Sequence, residues 1–257
     1  MKNLKKHLNL FLVLSRMHII SSDYRSFLGA LWSFAGPLLS LGVLYFIFID
    51  RFGRQIPHFP LRLLIGIVLL SSFKLVVQVV MQAVSANRDV IINSLTPPLV
   101  IVLSAVSVPF LKFIVEITVC IALAVFAGIF PFRNIFSLLG LSVFFFLLSL
   151  GVGFILAILY SFATDVLEIW NSISPILFFV CPIFYTLNML SPWGRNLAYT
   201  LNPLTPFMIC FQTLILGVQE PHLTSATYLH ALLWALSLFL IGLFLSKKFE
   251  KQILEYL

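Results

Sequence analysis

The chain has 257 residues, 61% of them hydrophobic and 10% charged, with a mean hydropathy of +1.09. A soluble domain of this size has too little interior to hide that much apolar surface, so the bilayer is its solvent. The net charge of +7 is dispersed around apolar segments, which argues against a nucleic-acid binder. Cys120, Cys181, Cys210 and five scattered histidines form neither a disulfide framework nor a metal-ligand spacing.

In chain order, residues 2–15 begin with lysines and then read LNLFLVL, followed by SRMH in place of a small-residue cleavage site. Leu4, Leu8, Phe11, Leu12, Ser15 and Ile19 fall at helical spacing. This predicts a retained amphipathic helix lying in the cytoplasmic interface. DYRSFLGALWSFAGP then leads into the first of six predicted spans, at 31–49, 63–84, 99–129, 136–163, 173–190 and 227–245. Arg25 can stay at headgroup level, Trp32 at the interface, and Gly36-Pro37 can bend the helix at the mouth of the span. Simple interfacial anchoring is the alternative for Tyr24 and Arg25.

The second span carries Ser71, Lys74, Gln78, Gln82 and Ser85 on one helical stripe. Such groups are costly in lipid, and serve either as glue between helices or as a wall of a hydrated path. In the third span Lys112 and Glu116 form an i,i+4 pair after Pro109, open to a structural or a functional role. Ser149, Gly153, Ala157 and Ser161 in the fourth make a small-residue ladder for close helix packing. Residues 191–217 are apolar but broken by Pro192, Gly194, Pro203 and Pro206, which predicts short re-entrant helices before the last span.

Nine Lys and Arg residues (Lys2, Lys5, Lys6, Arg16, Arg25, Arg88, Lys247, Lys248, Lys251) fall on one side of this topology. Five (Arg51, Arg54, Arg62, Arg133, Arg195) fall on the other. The bias places both termini in the cytoplasm. The fold class is therefore an all-α polytopic membrane protein of six helices. Residues 1–30 form the interfacial helix and entrance motif, and 31–257 the transmembrane domain.

The 257 residues contain no GxxxxGK[ST] loop, no GxSxG elbow and no HExxH helix. Of the acidic residues only Glu116 lies deep in a span, so a chain of carboxylates for proton coupling is missing. A polar seam with no energy source of its own points to a partner that supplies one.

At this point the entrance motif becomes informative. YRSFLGALW…P at 24–37, HFPLRLLIGIVLLSSF at 58–73, NRDVIINSLTPPLVIVLSAV at 87–106, SPILFFVCPIFY at 174–185 and LNPLTPF at 201–207 together resemble type-2 ATP-binding-cassette exporter permeases. The resemblance is to the polysaccharide and polyol-phosphate branch and covers most of the chain. It implies a homodimer in the bacterial inner membrane, joined to two ATPase subunits that bind ATP and Mg, with no cofactor in this chain. It implies a glycan path between the permeases and a polyprenyl-linked substrate. ATPase contacts would come from the amino-terminal helix and from short loops holding Asn87, Arg88, Asp89, Asp165 and Glu168. Relatives often have Arg-Asp where this chain has Thr164-Asp165.

The chain holds 27 phenylalanines, and aromatic residues gather in the first and fifth spans. Flat ring faces can slide along sugars, so Tyr45, Phe46, Phe178, Phe179 and Tyr185, with Lys74, Gln78 and Gln82, are candidates for lining the path. Contact with lipid or with neighbouring helices is the alternative for the rings. The functional expectation is a permease exporting lipid-linked O-antigen or a related surface polysaccharide. Teichoic acid, capsule, drug or lipid cargo, and a membrane enzyme acting on polyprenyl-linked sugars, are the alternatives.

Overall fold

The computed structural model describes residues 2–21, 29–53, 55–88, 91, 97–218 and 225–256. Among the described residues the helices are α1 Lys2–Ser21, α2 Gly29–Phe52, α3 Phe59–Ala86, α4 Pro98–Phe126, α5 Ile135–Phe162, α6 Asp165–Ile173, α7 Leu177–Val180, α8 Pro192–Thr200, α9 Leu204–Leu216 and α10 Ser225–Tyr256. Three-residue or four-residue 3-10 turns join them at Pro131–Asn134, Ser174–Ile176 and Leu187–Met189. No strand occurs among the described residues. The all-α polytopic expectation is borne out.

Helix boundaries follow local chemistry. Prolines open α3, α4 and α8, where a missing N–H costs nothing. The Ser191 hydroxyl accepts from the Gly194 N–H at 3.2 Å and caps α8. Gly217, at φ 65°, ends α9 in the left-handed conformation that glycine reaches without steric cost.

Among the described residues, five helices are long and apolar enough to cross a membrane: α2 over Ala35–Phe52, then α3, α4, α5, and α10 over Ser225–Phe249. The expected crossing at 173–190 is different. Its helical path runs from α6 through the Ser174–Ile176 turn to α7 and stops at Val180. Cys181 is extended, with ψ 144°, as the residue before Pro182 must be to avoid the proline ring. The correction is therefore a broken ascent in place of a continuous fifth helix. The predicted short helices of 191–217 are present as α8 and α9.

Helices α3 and α5 form the centre, α3 packing on α2, α4 and α5, and α10 lying along α5. Helices α5 and α10 approach backbone to backbone. A Cβ added at Gly151 would fall 2.5 Å from the Leu238 carbonyl carbon, and one at Gly242 would fall 2.5 Å from the Gly151 oxygen. The ladder faces the other neighbour, where a Cβ at Gly153 would meet Val80 of α3 at 2.6 Å. Helix α9 is driven into the bundle by Phe207 and Phe211, fully buried against Phe113 and Phe145, with ring centroids 5.6–6.2 Å apart. Arg62, placed in a loop by the charge pattern, lies inside α3 and is buried.

The amino-terminal helix α1 packs on α4. Leu14 and Ser15 face inward, while Leu8, Leu12, Val13, Met17 and Ile20 remain open. An unpartnered apolar face of this kind suits a helix bathed in lipid.

Candidate functional site

The broken segment climbs beside α3. The Trp170 ring contacts Phe73 at 6.2 Å, and farther along Ile183 lies over Gly66, where a Cβ would meet it at 2.7 Å. Phe184 then stacks on Phe48 of α2 at 4.9 Å. Irregular backbone is tolerated at membrane depth only if its polar groups find partners. The Gln212 amide of α9, itself buried, donates to the carbonyls of Pro182 at 3.3 Å and Arg62 at 3.4 Å. The Asn202 amide lies 3.3 Å from Cys181 Sγ, and its oxygen accepts from the Leu204 N–H. Tyr185 donates to the Val180 carbonyl at 2.9 Å, and Arg195 to that of Leu187 at 3.2 Å. Side chains of Tyr185, Arg195 of α8, Asn202 and Gln212 of α9 thus supply bonding that a continuous helix would have made for itself.

The structure sorts the aromatic candidates. Phe178, Phe179 and Tyr185 gather around Phe184, at centroid distances of 5.5, 6.2 and 5.2 Å, and Phe52 completes the group. Tyr45 and Phe46 stand apart on the open face of α2, 39% and 82% exposed. An open cleft of about 490 Å³ adjoins the group, lined in part by Tyr185, Leu177, Leu197 and Asn202. Phe184 is the hub, and in the sequence it is one more ring in a phenylalanine-rich run.

Lys74, Gln78 and Gln82, with Ser71 and Ser85, lie on the one partly open face of α3, while Ser72, Phe73, Val76, Val77, Val80 and Met81 between them are buried. Ser71 bonds only the Val68 carbonyl of its own helix. Within the described chain, no hydrogen bond joins Lys74, Gln78 or Gln82 to another helix. The stripe is left facing outward from the bundle.

Lys112 and Glu116 are paired at 3.8 Å, and the Ser72 hydroxyl of α3 donates to the Glu116 carboxylate at 3.3 Å. Glu116 is 1% exposed at the side chain and Lys112 34%, so only the lysine can reach polar surroundings. Lys112→Met should therefore be destabilising, because it removes the cationic partner of a buried carboxyl. Glu116→Met should cost less, and the double variant less than the sum of the two. Thermal unfolding of the purified variants measures this; equal and additive losses would contradict the pairing.

Tyr24, Arg25 and Asp89 lie outside the described residues, as does the side chain of Trp32. Helix α2 runs unbroken through Gly36 and Pro37. Gly36 faces open space, and Pro37 borders a void of about 10 Å³ with Leu64, Val68 and Glu116. Asn87 donates to the Ala83 carbonyl at 2.8 Å and closes the end of α3, and Arg88 is exposed. Asp165 and Glu168 are exposed in the first turn of α6, where negative charge suits the helix dipole.

Taken together, a bundle of long apolar helices, a broken and re-bonded segment, and a polar face left open define a multi-pass membrane protein. No family model matches the chain. It is 26% identical over 224 residues to the O-antigen export system permease protein RfbA of Myxococcus xanthus, covering 85% of this chain and 86% of that one. To two proteins of the same name from Klebsiella pneumoniae it is 29% and 28% identical over 235 residues, 90% of this chain and 88% of theirs. The recognition of a type-2 ATP-binding-cassette exporter permease of the polysaccharide branch is borne out by these likenesses, and with it a transport subunit rather than an enzyme.

Proposed function

We propose that this chain is the permease subunit of an ATP-driven exporter that moves lipid-linked O-antigen, or a related surface polysaccharide, across the bacterial inner membrane. The observation that carries the reading is the open polar stripe of α3, rising beside a broken, aromatic segment. Two copies related by a two-fold axis would bring two such stripes together and enclose a hydrated seam. The glycan would slide past ring faces of the Phe184 group, which offer flat contact without firm charge recognition.

The nucleotide and its Mg belong to a separate ATPase in this reading. Asp165, Glu168 and Arg88, exposed at the end of the bundle reached by the ends of α3 and α5, are the candidate contacts. The same end carries Lys247 and Lys248, consistent with a cytoplasmic face. The termini are placed in the cytoplasm on that ground.

Replacing Lys74, Gln78 and Gln82 together by Leu tests the path. Among the described residues these side chains bond no other helix, so membrane abundance should be kept while export per folded complex falls, as expected when polar groups along an intramembrane path are removed. Parental export by the triple variant would overturn the path assignment.

A further inference from the structure

At the opposite end of the bundle from the aromatic cleft, α3, α4, α5 and α10 leave a cavity of about 250 Å³ between their tips. Its walls are Val84, Pro98, Leu99, Val102, Phe154 and Leu243, and its rim holds Ser161, Ser246 and Lys247. Apolar cavities smaller than this stay free of water and take up hydrocarbon instead. In a bilayer, hydrocarbon at the tips of the spans means an acyl chain. The polar end of that chain would come to rest at Lys247, which is exposed, with Lys248 following it and Arg88 four residues beyond Val84. Basic pockets between helix ends select anionic headgroups. The Ser161 hydroxyl donates to the Ala157 carbonyl at 2.8 Å, so it can meet a headgroup only as an acceptor. Lys248 lies 5.7 Å from the Phe249 ring centre, and it is Lys247 that stands at the cavity rim.

We propose that this cavity is a binding site for an anionic phospholipid, with one acyl chain between α3, α4, α5 and α10 and the headgroup phosphate at Lys247. The site does not depend on the cargo or on the path along α3, so it stands or falls separately from the exporter reading.

The purified full chain is placed in nanodiscs of phosphatidylcholine containing photoactivatable acyl-chain phosphatidylglycerol or, in a parallel set, the matching phosphatidylcholine. Crosslinked peptides are mapped by mass spectrometry. Peptides covering 97–102 and 154–158 should be labelled about fivefold more by the anionic lipid, the factor expected from one cation near the membrane surface. Lys247→Glu, an exposed change that leaves the cavity walls intact, should bring the two lipids to equal labelling. Ala157→Phe, which fills the cavity, should remove labelling of these peptides by both. Equal labelling by the two lipids in the parental protein overturns the proposal, as does an undiminished anionic preference in Lys247→Glu.

Discussion

Gly151→Val should leave almost no folded protein in the membrane. The added atoms have nowhere to go, because the first of them already falls 2.5 Å from backbone atoms of Leu238 and Phe239. Backbone cannot rotate aside as a side-chain tip can, so α5 and α10 must separate along the longest helix pair in the bundle. Overpacking in a close-packed interior costs about 1–3 kcal/mol even when neighbours adjust, and parting two helices over their shared length costs more than that. A loss beyond that range takes most of the total stability of a protein near the lower end of about 5–15 kcal/mol. Gly140→Ala on the same helix is the control, since a Cβ there meets nothing within 4 Å. Size-exclusion profiles of tagged protein should show a monodisperse peak for Gly140→Ala and its loss for Gly151→Val. A normal peak for Gly151→Val would mean that the α5–α10 contact is not as drawn.

The second large effect is expected at Gln212. Leucine in its place preserves the bulk but removes the donor to the Pro182 and Arg62 carbonyls. The Arg62 carbonyl keeps its place in the α3 ladder, but the Pro182 carbonyl loses its donor, and a buried group left without a partner costs about 1–3 kcal/mol. The loss falls on the broken segment, which has no helical ladder of its own to fall back on. Cys181 is a built-in reporter because it is fully buried beside that break. A membrane-permeable maleimide should modify Cys181 about tenfold faster or more in Gln212→Leu, the factor that corresponds to about 1.4 kcal/mol. Cys120, buried on α4 away from the break, should keep its parental rate. Equal acceleration at both cysteines would signal global unfolding, and an unchanged Cys181 would show that Gln212 does not hold the segment.

The sequence carried the spans well where apolar length alone sets the element, as in α3, α4, α5 and α10. It carried 191–217 because prolines and a glycine interrupt an apolar run visibly. It missed the break in the fifth crossing for a related reason: 173–190 satisfies the length of a span, and length outweighed Pro175 and Pro182. The backbone restriction before Pro182 was available in the letters and needed only to be applied to Cys181. Gly151 and Gly242 were not legible, because their contact depends on which distant helix lies against α5, and the four-residue ladder of the same helix points to α3. Gln212 carried a readable signal, a lone amide inside LTPFMICFQTLIL, which reads as a polar group that must hold a partner. Among the rings, composition could gather candidates but could not tell the open face of α2, with Tyr45 and Phe46, from the cluster around Phe184.

The most direct test of the proposed function is transport in proteoliposomes holding the purified chain together with the proposed ATPase partner. Lipid-linked O-antigen supplied on the outer leaflet of inverted vesicles should enter the lumen only when both proteins, ATP and Mg are present. ATP turnover should be undetectable with this chain alone and should rise when the glycan lipid is added to the pair. Glycan movement or chemical change by this chain alone, or an ATPase pair indifferent to the glycan lipid, would contradict an ATP-driven export permease.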